Sequence, residues 1–479
     1  MNARSIIAAA LRGRPHLARA VRVVACALLS MLAASGDLRA QVSLPSVPLP
    51  NLPRVDTPVD LDRTLNKATD TLDLRELRLN RVRNLIRTHR DVIEADPRGA
   101  PILRSEVLAF SPSEQAVERA RAAGFAVIRE KTLDGLDARV VVLRPPEGMS
   151  TLRALKRLRA EDPAGIYDFN HIYTESGAVL ASRTLSTSDA TPAPVVGGVS
   201  PSASAQTMPS SAAQALPAGS GRVGLIDRGI DSAHPVFRNS QLQLYGCEGR
   251  RVPSAHGTAV ASLIVGQADG FHGAAANTTL YAADVYCGVP TGGAVDAVVD
   301  ALAWMAREQV PVINISLVGP ANAMLENVTR AILARGHLLV AAVGNDGPAA
   351  RPLYPAAYAG VIGVTGVDAR QRALVEACRG PHVDLAAPGA DMAAASLSAR
   401  YAAVRGTSFA APIVAGLLAS RLPVPDGAAA ATAVRDLSAS AIDLGARGRD
   451  QTYGEGLVGA TLRVAPSLAG ASPLSQKDK

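Results

Sequence analysis

Three polar residues in the second half of the 479-residue chain have types and settings that suit acyl-transfer chemistry. Asp227 directly follows a short apolar run, which predicts a carboxylate at the carboxyl end of a buried strand. His256 opens a segment of small and apolar residues, so we expect an imidazole at a helix N-terminus, where the helix dipole favours the neutral form that a general base needs. Ser408 lies at the start of the apolar segment GTSFAAPIVAG, which predicts a hydroxyl beside free backbone N–H groups. Each residue taken alone also has the interpretation of a cap or a turn former.

A fourth polar residue, Asn345, follows an apolar run and stands next to Gly344. An Asn beside glycines is commonly a turn residue, but its side-chain amide can also donate a hydrogen bond to a developing oxyanion. Together the four residues, in the order Asp, His, Asn, Ser, predict an orienting acid, a base, an oxyanion donor and a nucleophile. The following histidines lack such a setting and are interpreted as loop or surface residues: His234, His272, His337 and His382.

These residues fall on a framework of short β-branched runs that alternate with alanine-rich segments over residues 221–460. Near-continuous apolar strands separated by helices predict an α/β fold, in which a parallel sheet is flanked by helices on both faces. Functional sites in such sheets lie at the carboxyl ends of the strands. We therefore expect the site at that end of the sheet.

Three sequence motifs resemble those of the subtilisin-like serine protease family. The segment GTSFAAP, residues 406–412, matches the family's nucleophile motif in full, and AAVGN, residues 341–345, matches its oxyanion segment. HGT from His256, followed by Val and Ala after one variable position, matches the histidine motif. The order of acid, base and nucleophile along the chain is also the one known for subtilisin. The resemblance implies a subtilisin-like catalytic domain over residues 221–460.

The resemblance implies a role for each candidate residue. Asp227, His256 and Ser408 would form the catalytic triad, and Asn345 would stabilise the oxyanion. A polypeptide substrate would lie as a strand beside residues 314–319. The residues that would bind this substrate are Ser316, Leu317, Val318 and Gly344.

Two positions depart from the family pattern. Arg228 follows the triad acid, where the family usually has a Ser or Thr whose hydroxyl supports that acid. An arginine here either stabilises the charge of Asp227 or points to solvent. Val318 stands where the family strand usually has glycine, and we expect it to narrow the pocket for the substrate side chain.

Residues 103–174 show a strand, a helix, two strands, a helix and a last strand, which predicts a small α+β domain of the βαββαβ, ferredoxin-like type. This order resembles the family's inhibitory prodomain. We therefore expect an intramolecular inhibitor in a self-processing zymogen, with the first cleavage near residues 172–178. Residues 175–220 are rich in Ser, Ala, Pro and Gly and predict a flexible linker.

The N-terminus predicts export to the periplasm or to the outside medium. Residues 1–40 combine a basic leader, an apolar run and a small residue at the cut, which is typical of a signal peptide. Residues 41–102 are interpreted as a linker and an amphipathic helix, and residues 461–479 as a tail. No later run reaches the ~18 apolar residues of a membrane span, so we expect no membrane anchor.

Export makes the cysteine count informative. In an oxidising compartment Cys247, Cys287 and Cys378 favour one disulfide and one leftover thiol. Cys247 and Cys287 each follow a predicted strand and flank the same stretch, so we pair them; the alternative is three buried free thiols. No Cys/His spacing indicates zinc. Calcium is common in the family, but no loop has the regular carboxylate spacing that would assign its ligands, so no cofactor is expected beyond that ion.

Composition narrows the function further. Aromatic residues make up only 3% of the chain, which argues against base-stacking surfaces. The net charge is +7, but residues 221–460 hold 18 arginines, no lysine and 19 acidic residues, so we expect no nucleic-acid partner. The predicted function is an exported serine endopeptidase acting on polypeptides. The alternatives are a catalytically inert binding protein of the same fold, and an esterase or lipase, which would place its serine first and in Gly-x-Ser-x-Gly.

Overall fold

The computed structural model describes residues 74–180 and 221–467, and every structural statement below refers to these two ranges. The signal peptide predicted over residues 1–40 lies outside the described residues. So do most of the linker predicted over residues 175–220 and the end of the predicted tail. None of the helices in the described ranges is long and apolar enough to cross a membrane.

The first range builds a helix and a small antiparallel sheet. Helix α1 (Leu74–Thr88) precedes β1 (Ile93–Ala95), β2 (Pro101–Phe110), α2 (Glu114–Ala122), β3 (Ala126–Leu133), β4 (Ala138–Arg144), α3 (Thr151–Glu161) and β5 (Ile166–His171). The sheet order is β5-β2-β4-β3, and β1 also pairs with β2. Ser113 and Ser150 cap α2 and α3, because each side-chain hydroxyl accepts a backbone N–H of the first turn. From β2 onward the element order is βαββαβ.

The middle strands of this small sheet are buried on both faces. Val107 and Ala109 of β2 pack in one cluster with residues of α2 and α3, such as Leu155. Leu108 lies between them in sequence and faces the other way, into a cluster that contains Val299 of the second range. Because side chains alternate across a strand, the same sheet holds its own helices on one face and docks against the second range on the other.

The second range is organised by a seven-stranded sheet. Its strands are β8 (Arg222–Asp227), β9 (Leu242–Tyr245), β12 (Thr279–Asp284), β13 (Val312–Ile315), β15 (Leu338–Ala342), β16 (Ile362–Val367) and β17 (Leu385–Pro388). The order is β17-β16-β15-β13-β8-β12-β9, and every neighbouring pair is parallel. This confirms the predicted α/β class.

Helices cover both faces of the parallel sheet. They are α4 (Ala255–Val265), α5 (Val295–Arg307), α6 (Ala323–Ala334), α7 (Thr407–Ala419) and α8 (Gly427–Ala439). Leu225 of β8 packs in a cluster with α4 and α7, whereas the next residue, Ile226, packs in a cluster with α5 and α6. The sheet is therefore the middle layer of three, and its strands are apolar on both sides.

Short strands complete the described residues: β6 (Thr174–Glu175), β7 (Ala178–Leu180), β10 (Gln267–Ala268), β11 (Phe271–His272), β14 (Leu317–Val318), β18 (Met392–Ala395) and β19 (Tyr401–Arg405). β6 pairs antiparallel with β14, and β7 pairs antiparallel with β19. The predicted flexible linker thus starts with six residues, 175–180, that are held by strand pairing. Glu175 pairs with β14, and residues 178–180 pair with β19.

Cys247 and Cys287 follow β9 and β12, which are neighbours in the sheet, and a disulfide joins them with their Cα atoms 5.1 Å apart. This is the predicted pairing. Cys378 is a buried free thiol whose pKa burial raises to about 11. One group in the described ranges has metal-ligand types, Cys247, Asp284 and Cys287, but its two sulfur atoms are bonded to each other.

Candidate active site

Three elements bring the predicted acid, base and nucleophile together. Asp227 is the last residue of β8, and His256 and Ser408 are the second residues of α4 and α7. His256 Nδ1 lies 2.9 Å from Asp227 Oδ1, and its Nε2 lies 3.1 Å from Ser408 Oγ. The carboxylate can only accept, so Nδ1 carries the proton and Nε2 is left to accept the hydroxyl proton of Ser408. All three side chains are buried.

The approach of α4 to β8 depends on Gly257. A Cβ at this position would collide with the carbonyl oxygen of Arg228 and lie 2.6 Å from that of Gly229. The side chain of Ser254 caps the helix by accepting the Gly257 N–H. Glycine next to His256 therefore lets the start of the helix press against the end of the strand, which brings the imidazole to the carboxylate.

The helix that carries Ser408 lacks one of its backbone hydrogen bonds, and a side chain from outside the helix replaces it. Pro412 is the sixth residue of α7 and has no N–H to donate to the carbonyl of Ser408, four residues before it. Ser316 Oγ donates to that carbonyl instead, at 3.0 Å, and itself accepts from Asn314 Nδ2 at 2.8 Å. The predicted substrate-binding residue Ser316 thus also holds the nucleophile's backbone in place.

The two ends of the Asn345 side-chain amide differ in their hydrogen bonding. Its Oδ1 accepts the backbone N–H of Thr407 at 3.2 Å, which fixes the orientation of the amide. Its Nδ2 is buried and has no hydrogen-bond partner among the described residues. Gly344, with a φ of +98°, turns the chain here and donates its N–H to Thr407 Oγ1 at 3.2 Å. An unpartnered buried donor beside Ser408 is suited to receive an oxyanion.

The chain itself occupies the strand edge predicted for substrate. Leu317 pairs with Glu175, and Val318 pairs with Thr174. The backbone N–H of Tyr173 donates to the carbonyl of Gly293 at 2.8 Å, on the opposite side of the cleft. Residues 173–175 therefore lie between two backbone edges in the manner of a bound peptide.

The Ser176–Gly177 peptide bond follows these residues, and Gly177 lies against Ser408. A Cβ on Gly177 would collide with Ser408 Oγ, so the two groups are in direct contact. A Cβ on Gly406 would lie 2.7 Å from Gly177 Cα, 3.3 Å from the Ser176 carbonyl oxygen and 3.1 Å from Asn345 Nδ2. The carbonyl of Ser176 is thus on the same side of the cleft as the unpartnered amide.

A buried aromatic side chain anchors the residues before this bond. Tyr173 is fully buried; its hydroxyl donates to the carbonyl of Pro320, and its own carbonyl accepts from Tyr286 Oη at 2.8 Å. A Cβ on Gly319 would lie 2.8 Å from the Tyr173 ring. Glycine at this position makes room for the ring.

Arg228 does not direct its side chain to the neighbouring acid. Only its backbone N–H reaches Asp227 Oδ1, at 2.6 Å. The guanidinium forms an ion pair with Glu175, and its Cζ lies 3.9 Å from the centre of the Tyr286 ring. Neither of the two sequence alternatives, support of the acid or exposure to solvent, describes this position.

A buried ion pair braces the loop of Asn345. Arg405 of β19 donates to both carboxylate oxygens of Glu376 at 2.8 and 3.0 Å, and the carbonyl of Glu376 accepts from Gly347 N. The pair links the strand that holds residues 178–180 to the turn after Asn345.

Other residues near the site gave no signal in the sequence. Neither Glu376 nor Arg405 belongs to a motif that we identified, and the same is true of Glu175, Arg81 and Tyr286. Two of the histidines interpreted as surface residues, His234 and His337, are in fact buried, and burial lowers the pKa of each.

Comparison with known proteins supports the resemblance to the subtilisin-like family. Residues 220–456 match the subtilase family. Subtilisin DY of Bacillus licheniformis is 32% identical over 253 residues, which cover 50% of this chain and 88% of that protein. An alkaline protease of Alkalihalobacillus alcalophilus is 35% identical over 207 residues, 42% of this chain and 54% of that protein, so the chain spans about half the length of this relative.

Among solved structures, fervidolysin of Fervidobacterium pennivorans, a keratinolytic enzyme related to subtilisin, has a TM-score of 0.58 at 19% identity, over 78% of this chain and 62% of that chain. At this identity the likeness shows a shared fold. Subtilisin DY, by contrast, is matched over most of its own length at an identity that establishes common descent. The chain therefore belongs to the subtilase family, and residues 220–456 form its serine-type endopeptidase domain.

Proposed function

We propose that the chain is an exported serine endopeptidase made as a zymogen, and that its first act is to cut its own Ser176–Gly177 bond. The observation that carries the proposal is the contact of Gly177 with Ser408 Oγ, with the carbonyl of Ser176 on the side of the unpartnered Asn345 amide. The chain is paired as a strand on both sides of the bond, β6 with β14 and β7 with β19, and this pairing also supports cleavage at Ser176–Gly177.

In the proposed reaction Ser408 Oγ attacks the carbonyl carbon of Ser176 while His256 Nε2 takes the hydroxyl proton. The negative charge that develops on the carbonyl oxygen is held by Asn345 Nδ2 and the backbone N–H of Ser408. His256 then gives its proton to the nitrogen of Gly177 as the peptide bond breaks. Water, deprotonated by the same imidazole, hydrolyses the acyl-enzyme.

Asp227 has an orienting role in this scheme. It accepts from His256 Nδ1 and so keeps Nε2 free to take a proton, and it stabilises the imidazolium formed during each transfer. Side chains, backbone groups and one water carry out every step. Other polypeptides would enter the same cleft as strands once residues 173–180 leave it.

We further propose that the segment before the cut, which we call the propeptide, inhibits the enzyme by occupying this cleft. Its sheet packs through Leu108 against the second range, and its last residues fill the substrate position. The basic leader and apolar run of residues 1–40 support export of the chain.

Expression of the full chain with Ser408→Ala tests the proposal. We expect the unmodified chain to yield a new N-terminus at Gly177, identified by mass spectrometry, and to react with a fluorophosphonate probe at Ser408. The variant should keep the Ser176–Gly177 bond intact and remain unlabelled.

Ser420→Ala is the matched control, because Ser420 is exposed at the other end of α7 and should leave the cut unchanged. Cleavage of the Ser408→Ala chain at the same bond, with no active enzyme present, would contradict self-processing. An unlabelled and uncut natural chain would favour the inert binding protein.

A further inference from the structure

We propose that the cleft selects an acidic side chain at the position directly before the residue whose carbonyl is attacked, and that Arg228 is the residue that recognises it. The inference rests on the proposed function, because it names the class of polypeptide that the same site cuts. Glu175 occupies this position in the structure, since the attacked carbonyl belongs to Ser176.

Contact between the two side chains is direct. Arg228 Nε donates to Glu175 Oε1, and the side chains are only 31% and 11% exposed. A partly desolvated carboxylate that accepts from a guanidinium is held by a charge-assisted hydrogen bond, which is stronger than a neutral one. A neutral side chain of the same shape at this position would lose that interaction.

The guanidinium is held in place by groups that do not belong to the substrate. Its Cζ lies 3.9 Å from the centre of the buried Tyr286 ring, where the ring face attracts a cation. Tyr286 follows β12 and directly precedes Cys287, whose disulfide with Cys247 ties this turn to β9. Arg228 is therefore oriented before a substrate arrives, so less conformational freedom is lost on binding.

A second cation reaches the same carboxylate but does not stay with the enzyme. Arg81 Nη1 of α1 lies 3.2 Å from Glu175 Oε2. Arg81 precedes the Ser176–Gly177 bond and leaves with the propeptide after the cut, whereas Arg228 follows the bond. Of the two cations, Arg228 alone remains to recognise a new substrate.

The strand register determines which substrate residue meets the arginine. Glu175 pairs with Leu317, and in this register its side chain reaches Arg228. This geometry makes the recognition specific to one substrate position.

Two internally quenched peptides test the inference. One carries Tyr-Thr-Glu-Ser-Gly-Ala-Val, the sequence of residues 173–179, and the other has Gln in place of Glu. The protein is the full chain after its own processing, with active sites titrated by the fluorophosphonate probe. We expect kcat/KM to favour the Glu peptide by about tenfold or more, as for loss of one hydrogen bond to a charged group.

A substitution at Arg228 that disturbs the neighbouring Asp227 lowers kcat/KM for both peptides alike. The ratio of the two kcat/KM values therefore measures recognition of the Glu side chain alone. Arg228→Gln should bring the ratio close to one, Arg228→Lys should restore part of it, and Arg228→Glu should favour a peptide with Lys instead. Arg251→Gln is the control; this exposed arginine of the same loop region binds Ser232 and should keep the natural ratio. Added salt should reduce the natural preference.

Equal cleavage of both peptides by the natural enzyme, or an unchanged preference in Arg228→Gln, would overturn the inference while leaving the endopeptidase function intact. Failure to cut either peptide, together with an unlabelled Ser408, would overturn the proposed function and the inference with it.

Discussion

The side chain of Asn345 is oriented through its amide oxygen, while its amide nitrogen is the donor that we propose for the oxyanion. Its oxygen accepts from Thr407, the residue directly before the nucleophile, so the position of the amide is tied to the start of α7. Its Nδ2 is buried without a partner in the described ranges. A buried donor in this state lacks a hydrogen bond until a charged oxygen forms beside it.

We expect Asn345→Ala to lower kcat while leaving KM nearly unchanged, because the lost hydrogen bond strengthens only as the oxyanion develops. Loss of the corresponding donor in subtilisin costs about a hundredfold or more in kcat. Steady-state kinetics with a peptide substrate would measure both constants. A rise in KM with an unchanged kcat would show that the amide binds the ground state instead.

At this scale the sequence is informative where a residue carries a local signal. Asp227, His256 and Ser408 each stand at the junction of an apolar run with a turn or a helix start, and the structure brings these three together. The partner of Arg228 was not predictable, since Glu175 lies 53 residues away in the chain. Their contact depends on the register of a two-residue strand, for which no local pattern exists.

Helix α1 adds a second restraint on the cleft, beyond the small sheet. Arg78 and Arg81 are three residues apart and so share one face of the helix. Arg78 lies 3.4 Å from Asp346, the neighbour of the oxyanion residue, and Arg81 lies 3.2 Å from Glu175. One helix face thus contacts both the catalytic loop and the peptide in the cleft.

Replacing both arginines by alanine should loosen the propeptide. Each ion pair contributes about 0.2–1 kcal/mol, so we expect the loss of both to weaken inhibition by the propeptide about two- to thirtyfold. The rate at which peptide hydrolysis appears after the first cut measures this. Arg83→Ala is the control, because that side chain is 65% exposed and pairs within α1, with Glu76. An unchanged rate in the double variant would assign inhibition to the small sheet alone.

Helices and strands whose sequences have a clear periodicity were predictable. Short strands that form only by pairing with a neighbouring strand edge were not. Serine caps and alternating apolar residues indicate the helices and strands of residues 103–174, and the structure has them in the predicted order, with the first strand beginning already at Pro101. Residues 175–178, which are Glu, Ser, Gly and Ala, have weak strand preference of their own. They become extended because β14 and β19 offer unpaired backbone edges.

Buried histidines make the stability of the folded molecule depend on pH. His234 packs against Tyr401, accepts the Val236 N–H through Nδ1, and donates from Nε2 to the carbonyl of Arg400. Burial lowers its pKa below the ordinary 6.5, against opposing contributions from the Arg400 carbonyl and from Asp231. The unfolded chain therefore takes up a proton at a higher pH than the folded one.

We expect the contribution of His234 to the free energy of unfolding to be constant above the ordinary histidine pKa and to fall as the pH drops below it, until the lowered pKa of the folded state is reached. Chemical denaturation of the Ser408→Ala chain at a series of pH values, which avoids self-digestion, measures this. His234→Gln should make the decline shallower. An identical decline in the variant would exclude His234 as a source.

The class of the fold followed from the sequence, but the arrangement did not. Alternating apolar runs and alanine-rich segments predict a parallel sheet between helices, and this is confirmed. The order of seven strands, and the docking of the small sheet through Leu108, depend on contacts between distant segments. Such contacts leave no periodic trace in either segment alone.

The disulfide between Cys247 and Cys287 lies wholly on the C-terminal side of the Ser176–Gly177 bond. Once that bond is cut, the described contacts between the two products are hydrogen bonds, ion pairs and apolar packing. Their separation is then a reversible dissociation governed by mass action, which dilution promotes and for which no disulfide among the described residues has to be reduced. Under the proposed self-cleavage and inhibition, a released propeptide is free to bind a different molecule, so we expect the activity of a population to depend on total protein concentration as well as on the number of bonds cut.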